Sequence, residues 1–97
     1  VFSEALGMRL VCQVFRSSRK QEMYLYVDKS RGLQDIPDAL MAQFGDATPV
    51  MVLLLTPEKI LARANVAVVL ADIKEQGFYL QMPPTAAELF ARDNGRG

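Results

Sequence analysis

The sequence predicts an α/β domain, a three-layer α/β/α sandwich on a small mixed sheet of about four strands, with element order β-β-α-β-α-β-α. Two observations carry that prediction. Val50-Met51-Val52-Leu53-Leu54-Leu55 is apolar without a break and lies between Pro49 and Thr56-Pro57, which suits a strand covered on both faces better than a helix. On either side of it, stretches of period two alternate with stretches of helical period, so the chain must cross over the sheet faces between strands. Such crossovers are right-handed where the joined strands are parallel.

The elements follow in order. From Arg9 to Arg16, Leu10, Cys12 and Val14 alternate with Val11, Gln13 and Phe15, the pattern of a strand with one face more apolar than the other. Ser17-Ser18-Arg19-Lys20 is polar and turn-prone. Glu22 to Asp28 then sets Met23, Leu25 and Val27 against Tyr24 and Tyr26. So short a connection predicts that the two strands pair antiparallel as a hairpin. A short helix is expected over 37–44, with Pro37 at its first position, Asp35 and Asp38 near its N-terminus, and Gly45 just past its end. Leu40, Met41 and Phe44 form its apolar side.

After the run at 50–55, Asn65 can cap a longer helix whose stripe is Val66, Val69, Leu70 and Ile73, ended by Gly77. Phe78 to Met82 reads as the last strand, stopped by Pro83-Pro84. Thr85 and Glu88 have capping-box spacing, which predicts a final helix from Ala86 to Arg92.

One domain is expected over 8–93, with residues 1–7 an N-terminal extension and 94–97 a flexible polar tail. Eleven cationic and eleven acidic side chains balance over the 97 residues, so no global field draws the chain toward nucleic acid or a membrane. Between residues 9 and 31, however, Arg9, Arg16, Arg19, Lys20, Lys29 and Arg31 face only Glu22 and Asp28. The single cysteine allows no internal disulfide and suits a reducing compartment. No apolar run approaches the roughly 18 residues that span a bilayer, and residues 1–7 lack the features of a signal peptide. A cytoplasmic location is therefore expected.

Arg16-Ser-Ser-Arg-Lys20, Met23-Tyr-Leu-Tyr-Val27, the Phe44-Gly45 helix end and Gln76-Gly-Phe-Tyr-Leu-Gln-Met-Pro-Pro84 together resemble the YcgL domain family of small bacterial proteins. The resemblance runs from about Met8 to Pro84 and stops short of both ends. It implies an α/β/α sandwich. The family carries no established activity, ligand or catalytic residue, so the resemblance implies no function.

Absences narrow the chemistry. There is no histidine, which removes Ser–His and Cys–His pairs and a histidine base. One cysteine without histidine leaves carboxylates as metal ligands, unsuited to ordinary zinc sites. Neither glycine-rich phosphate loop is present. Asp35, Asp38 and Asp46 bracket the short helix and could be read as paired acids or a magnesium site, but helix-end and turn preferences account for them more simply. Cys12, mid-strand among apolar neighbours, is expected to be an inert buried thiol. Met8, Met23, Met41, Met51 and Met82 are expected to fill the core.

The candidate binding residues are Arg16, Arg19, Lys20, Tyr24, Tyr26 and Tyr79. Basic side chains beside exposed aromatics can hold phosphates and stack bases. The plainer account is a solvated turn with tyrosines packed under a helix. The leading functional expectation is a binding or adaptor module without catalytic activity, cofactor or metal, whose partner is an unidentified protein. An RNA- or phosphate-binding accessory protein is the alternative, and an enzyme working with carboxylates and arginines is the third reading.

Overall fold

Alternation builds the hairpin from which the rest of the sheet grows. In the computed structural model, which describes residues 9–94, β1 (Leu10–Ser17) pairs antiparallel with β2 (Tyr24–Asp28). The register sets Val14 opposite Tyr26 and Arg16 opposite Tyr24. The chain continues through α1 (Asp38–Phe44), β3 (Ala47–Leu55), α2 (Val66–Gln76), β4 (Phe78–Gln81) and α3 (Ala86–Asn94). Pro37 sits at the N-cap of α1 rather than inside it. Asn65 caps α2 by accepting from the backbone N–H groups of Ala67 and Val68, and Gly77 closes it in the left-handed region. Thr85 and Glu88 form the reciprocal pair their spacing implies, each backbone N–H donating to the other's side chain.

The strand order is β3-β1-β2-β4, and every pairing is antiparallel. This corrects the expectation of a mixed sheet. β2 and β3 run the same way, but β1 lies between them, so the two parallel strands never pair.

A larger correction concerns residues 50–55. They lie on the outermost strand, and Val50, Met51, Val52 and Leu54 are exposed, leaving Leu53 half-buried and Leu55 fully buried. An unbroken apolar run suits a strand between two layers, but it does not say that two layers are present to cover it. The doubly covered strand is β2, which is only five residues long. Its alternate side chains are both apolar because tyrosine serves on one face and leucine and valine on the other.

On one sheet face Cys12, Val14 and Tyr26 pack with Leu55 and with Val66, Val69, Leu70 and Ile73 from α2. On the other, Met23, Leu25 and Val27 pack with Ile36 and with Phe44 of α1. Each such fully buried aliphatic side chain contributes about 1.5–3 kcal/mol relative to exposure. β2 contributes to both clusters, Tyr26 to the first and Leu25 and Val27 to the second. Of the methionines expected in the core, Met23 is buried and Met41 packs at its margin, whereas Met51 and Met82 are about half exposed. The expected extension at residues 1–7, Met8, and residues 95–97 of the expected tail at 94–97 lie outside the described residues, while Asn94 ends α3.

Candidate functional site

The hairpin tip is held by hydroxyl groups. Ser17 Oγ donates to the Phe44 carbonyl (2.6 Å) and accepts from the backbone N–H groups of Arg19 and Lys20 (3.0 Å each). Ser18 Oγ accepts from the Asp46 N–H (2.7 Å). The tip is thereby tied to the C-terminal end of α1, at Gly45. Gly45 has φ 78, and a Cβ there would run into Ser18 Oγ and the Arg19 side chain. Arg19 and Lys20 consequently leave an anchored backbone with their own side chains exposed. Together with Arg16 and Glu22 they line a hollow of ≈ 440 Å³. The ion pairs Arg31–Asp35 and Arg63–Glu88 both lie away from this hollow.

A second opening lies on the sheet face that α2 covers only in part. Val14, Arg16, Tyr24, Tyr26, Val50, Met51 and Gln81 line a cleft of ≈ 340 Å³. Strand order explains the set: Arg16 stands beside Tyr24, Tyr24 beside Gln81, and Met51 beside Val14. The pairing of β1 with β3 slips between Val14 and Phe15, setting Val14 opposite Met51 and Phe15 opposite Pro49. The slip leaves Val50 as an extra residue, a bulge that turns the rim locally. Arg16 is the side chain common to both openings.

The three tyrosines differ in role. Tyr26 is 9% exposed, and its hydroxyl donates to Gln81 Oε1 at 3.0 Å. Its ring meets that of Tyr79 edge to face with centroids 5.6 Å apart, a favourable arrangement for two quadrupoles. Burial pushes the Tyr26 pKa up. Tyr79 and Tyr24 are half-buried and pack against the same cluster. Of the six residues singled out in the sequence, Arg16, Tyr24 and Tyr26 thus share the cleft, Arg19 and Lys20 share the neighbouring hollow with Arg16, and Tyr79 supports the cleft from behind Tyr26.

Val50, Met51 and Gln81 went unforeseen as site residues, because they join the cleft only through pairings between distant strands. The one local signal was the alternation of Tyr79 and Gln81 in the last strand.

The aspartates do not gather. Asp35 takes a bidentate pair from Arg31 (2.7 and 3.1 Å), which holds its carboxyl below the usual range. Asp38 lies in the first turn of α1. Among the described residues there is no group of three or more Cys, Asp or Glu side chains placed to hold a metal ion, and no helix is long and apolar enough to cross a membrane. Cys12 is fully buried, and burial pushes its thiol up to about 12.

Comparison with known proteins gives one consistent result. The profile of the YcgL domain matches residues 12–84. A YcgL domain-containing protein of Chromohalobacter salexigens is 58% identical over 76 residues, covering 78% of this chain and 79% of its own. One from Pseudomonas paraeruginosa is 54% identical over 81 residues, 84% of each chain. One from Hahella chejuensis is 55% identical over 76 residues, 78% of this chain and 72% of its own. These relatives bear the name of a domain and of no activity.

Proposed function

The chain belongs to the YcgL domain family, and from that premise we infer that it is a non-catalytic binding module whose sheet-face cleft receives a segment of a protein partner. One observation carries the reading: a single cation, Arg16, stands at the end of a cleft lined by Val14, Val50 and Met51, with Tyr24 and Gln81 beside it. Arginine offers a planar fork to a carboxylate, while the apolar side chains reward burial of a hydrocarbon group. The cleft lies at the small end of the range of ligand sites, which suits one or two side chains rather than a large cofactor. A partner segment with an acidic residue next to an apolar one fits it. In the same reading the fold is a three-layer α/β/α sandwich, because Phe44 packs on one sheet face and Val69 on the other. Its setting is the bacterial cytoplasm, where Cys12 stays reduced.

The test is capture of partners from cell extract by wild type and by Arg16→Glu, with and without ribonuclease. The expected result is a protein retained by wild type after ribonuclease treatment and lost with Arg16→Glu. Equal capture by both chains would refute the cleft as the site.

A second reading, RNA or phosphate binding, is favoured by the anchored trio of Arg16, Arg19 and Lys20 around one hollow. In that reading half-buried Tyr24, rather than Tyr26, is the stacking ring. It requires that Arg19→Ala with Lys20→Ala weaken RNA binding and flatten its salt dependence. Wild type that binds no RNA at low salt would end it.

A further inference from the structure

The rim of the sheet at β3 is unlike an ordinary edge. Natural edge strands are blunted by charges, prolines, bulges or short length. β3 is nine residues long and has Pro49 and the Val50 bulge only in its first half. From Met51 to Leu55 it is straight in register with β1 and carries no charge. Among the described residues only β1 neighbours it, and no second described strand pairs with its outer side. Val52 (51%) and Leu54 (48%) are half exposed, and Val11, opposite Leu54, is 49% exposed on the same face. Phe44 and Ile36 cover the β2 side of that face, where Leu25 and Val27 are buried.

We propose that β3 is a homodimer interface, at which a second copy adds its own β3 antiparallel to extend the two four-stranded sheets into one. Three features select a copy of this chain as the occupant. The first is charge: the chain is formally neutral and the strand from 47 to 55 has no ionised side chain, so two copies meet without repulsion and without desolvating an ion. The second is self-complementarity. A two-fold axis at Leu53 pairs Val52 with Leu54 of the partner subunit and Met51 with Leu55 of the partner subunit. These pairs join residues of like parity, so inward and outward faces coincide and every cross-strand pair is apolar.

The third feature is area. A stable interface covers about 800 Å² on each partner, more than one strand pair supplies. The outward side chains Val52 and Leu54, each about half exposed on the face away from the cleft, add apolar surface beside the paired backbones.

Sedimentation of the whole chain over a wide concentration range tests this. The expected result is a species of twice 10.8 kDa that dissociates on dilution, and a shift to monomer of at least tenfold in concentration for Leu54→Lys. A wild-type chain that stays at 10.8 kDa throughout, or a dimer unaffected by a folded Leu54→Lys, would overturn the proposal. Should Leu54→Lys fail to fold, Leu53→Cys decides, since buried Cys12 does not compete. Self-crosslinking of that variant at the axis under mild oxidation supports the proposal, and a chain that remains monomeric overturns it.

Discussion

Tyr26 and Cys12 sit close together on the hairpin, and both carry ionisable protons into the core. For each, burial is the largest influence, and it disfavours the charged form. The folded chain therefore holds these protons more tightly than the unfolded chain does. Their contribution to stability is complete below pH 9, where both states are neutral. It declines as the pH climbs from the ordinary thiol value of 9.0 toward about 12, and Tyr26 adds to the decline above 10.0. Urea unfolding at a series of pH values should show a midpoint that falls steeply above pH 9, with a shallower fall for Cys12→Ala compared at equal starting stability. The same burial predicts that the thiol resists a disulfide reagent at pH 8 until denaturant is added. Rapid labelling of the native chain would contradict it. That Cys12 is buried was legible from its apolar neighbours alone. The Tyr26–Gln81 hydrogen bond was not, because its partners are 55 positions apart and nothing local pairs them.

Helix ends were the most legible elements, since their chemistry is contained in a few consecutive residues. Asn65 offers its carbonyl oxygen to two free N–H groups of the first turn of α2. Gly77 ends the same helix at φ 95, where a Cβ would lie 2.5 Å from the Asp35 Cβ. The two ends predict different outcomes. Asn65→Ala should cost about 1 kcal/mol and Asn65→Asp much less, because only the capping oxygen matters. Gly77→Ala should cost more, about 1–2 kcal/mol for the left-handed backbone alone, and it must also displace Asp35 from Arg31. Chemical denaturation of the three variants checks the ranking; an Asn65→Ala chain as stable as wild type would remove the cap from the account. Glu88 at the start of α3 is equally local. Its hydrogen bond from the Thr85 N–H, aided by Arg63, lowers its pKa. Its capping role is present above the ordinary value of 4.5 and is lost as the pH falls through the lowered one.

Strand order belongs to the whole molecule, and there the local signals stop. Nothing within Val50–Leu55 distinguishes a strand between two helical layers from one at the rim with a bare face, because both call for apolar residues throughout if the rim has a partner of its own. The assignment of the dry central position went to the longest apolar run, whereas the fold gives it to Tyr24–Asp28, a shorter strand with two tyrosines. Val50, Met51 and Gln81 were hidden for the same reason: the cleft is assembled across β3, β1, β2 and β4, and only β1 and β2 are joined by a short connection. Two neighbours on β3 measure the difference directly. Leu55 is fully buried in the cluster under α2, and Leu54 is half exposed on the opposite face. At dilutions where the chain is a monomer, Leu55→Ala should cost about 2–5 kcal/mol through lost burial and the cavity left behind. Leu54→Ala should cost less than about 1 kcal/mol, as at other partly exposed sites. A strand dry on both faces demands that the two substitutions be equally damaging, so equal losses in denaturation midpoint would return β3 to the interior. If the costs differ as expected, the apolar character of Leu54 contributes little to the stability of a single copy, as its exposure on the rim strand requires.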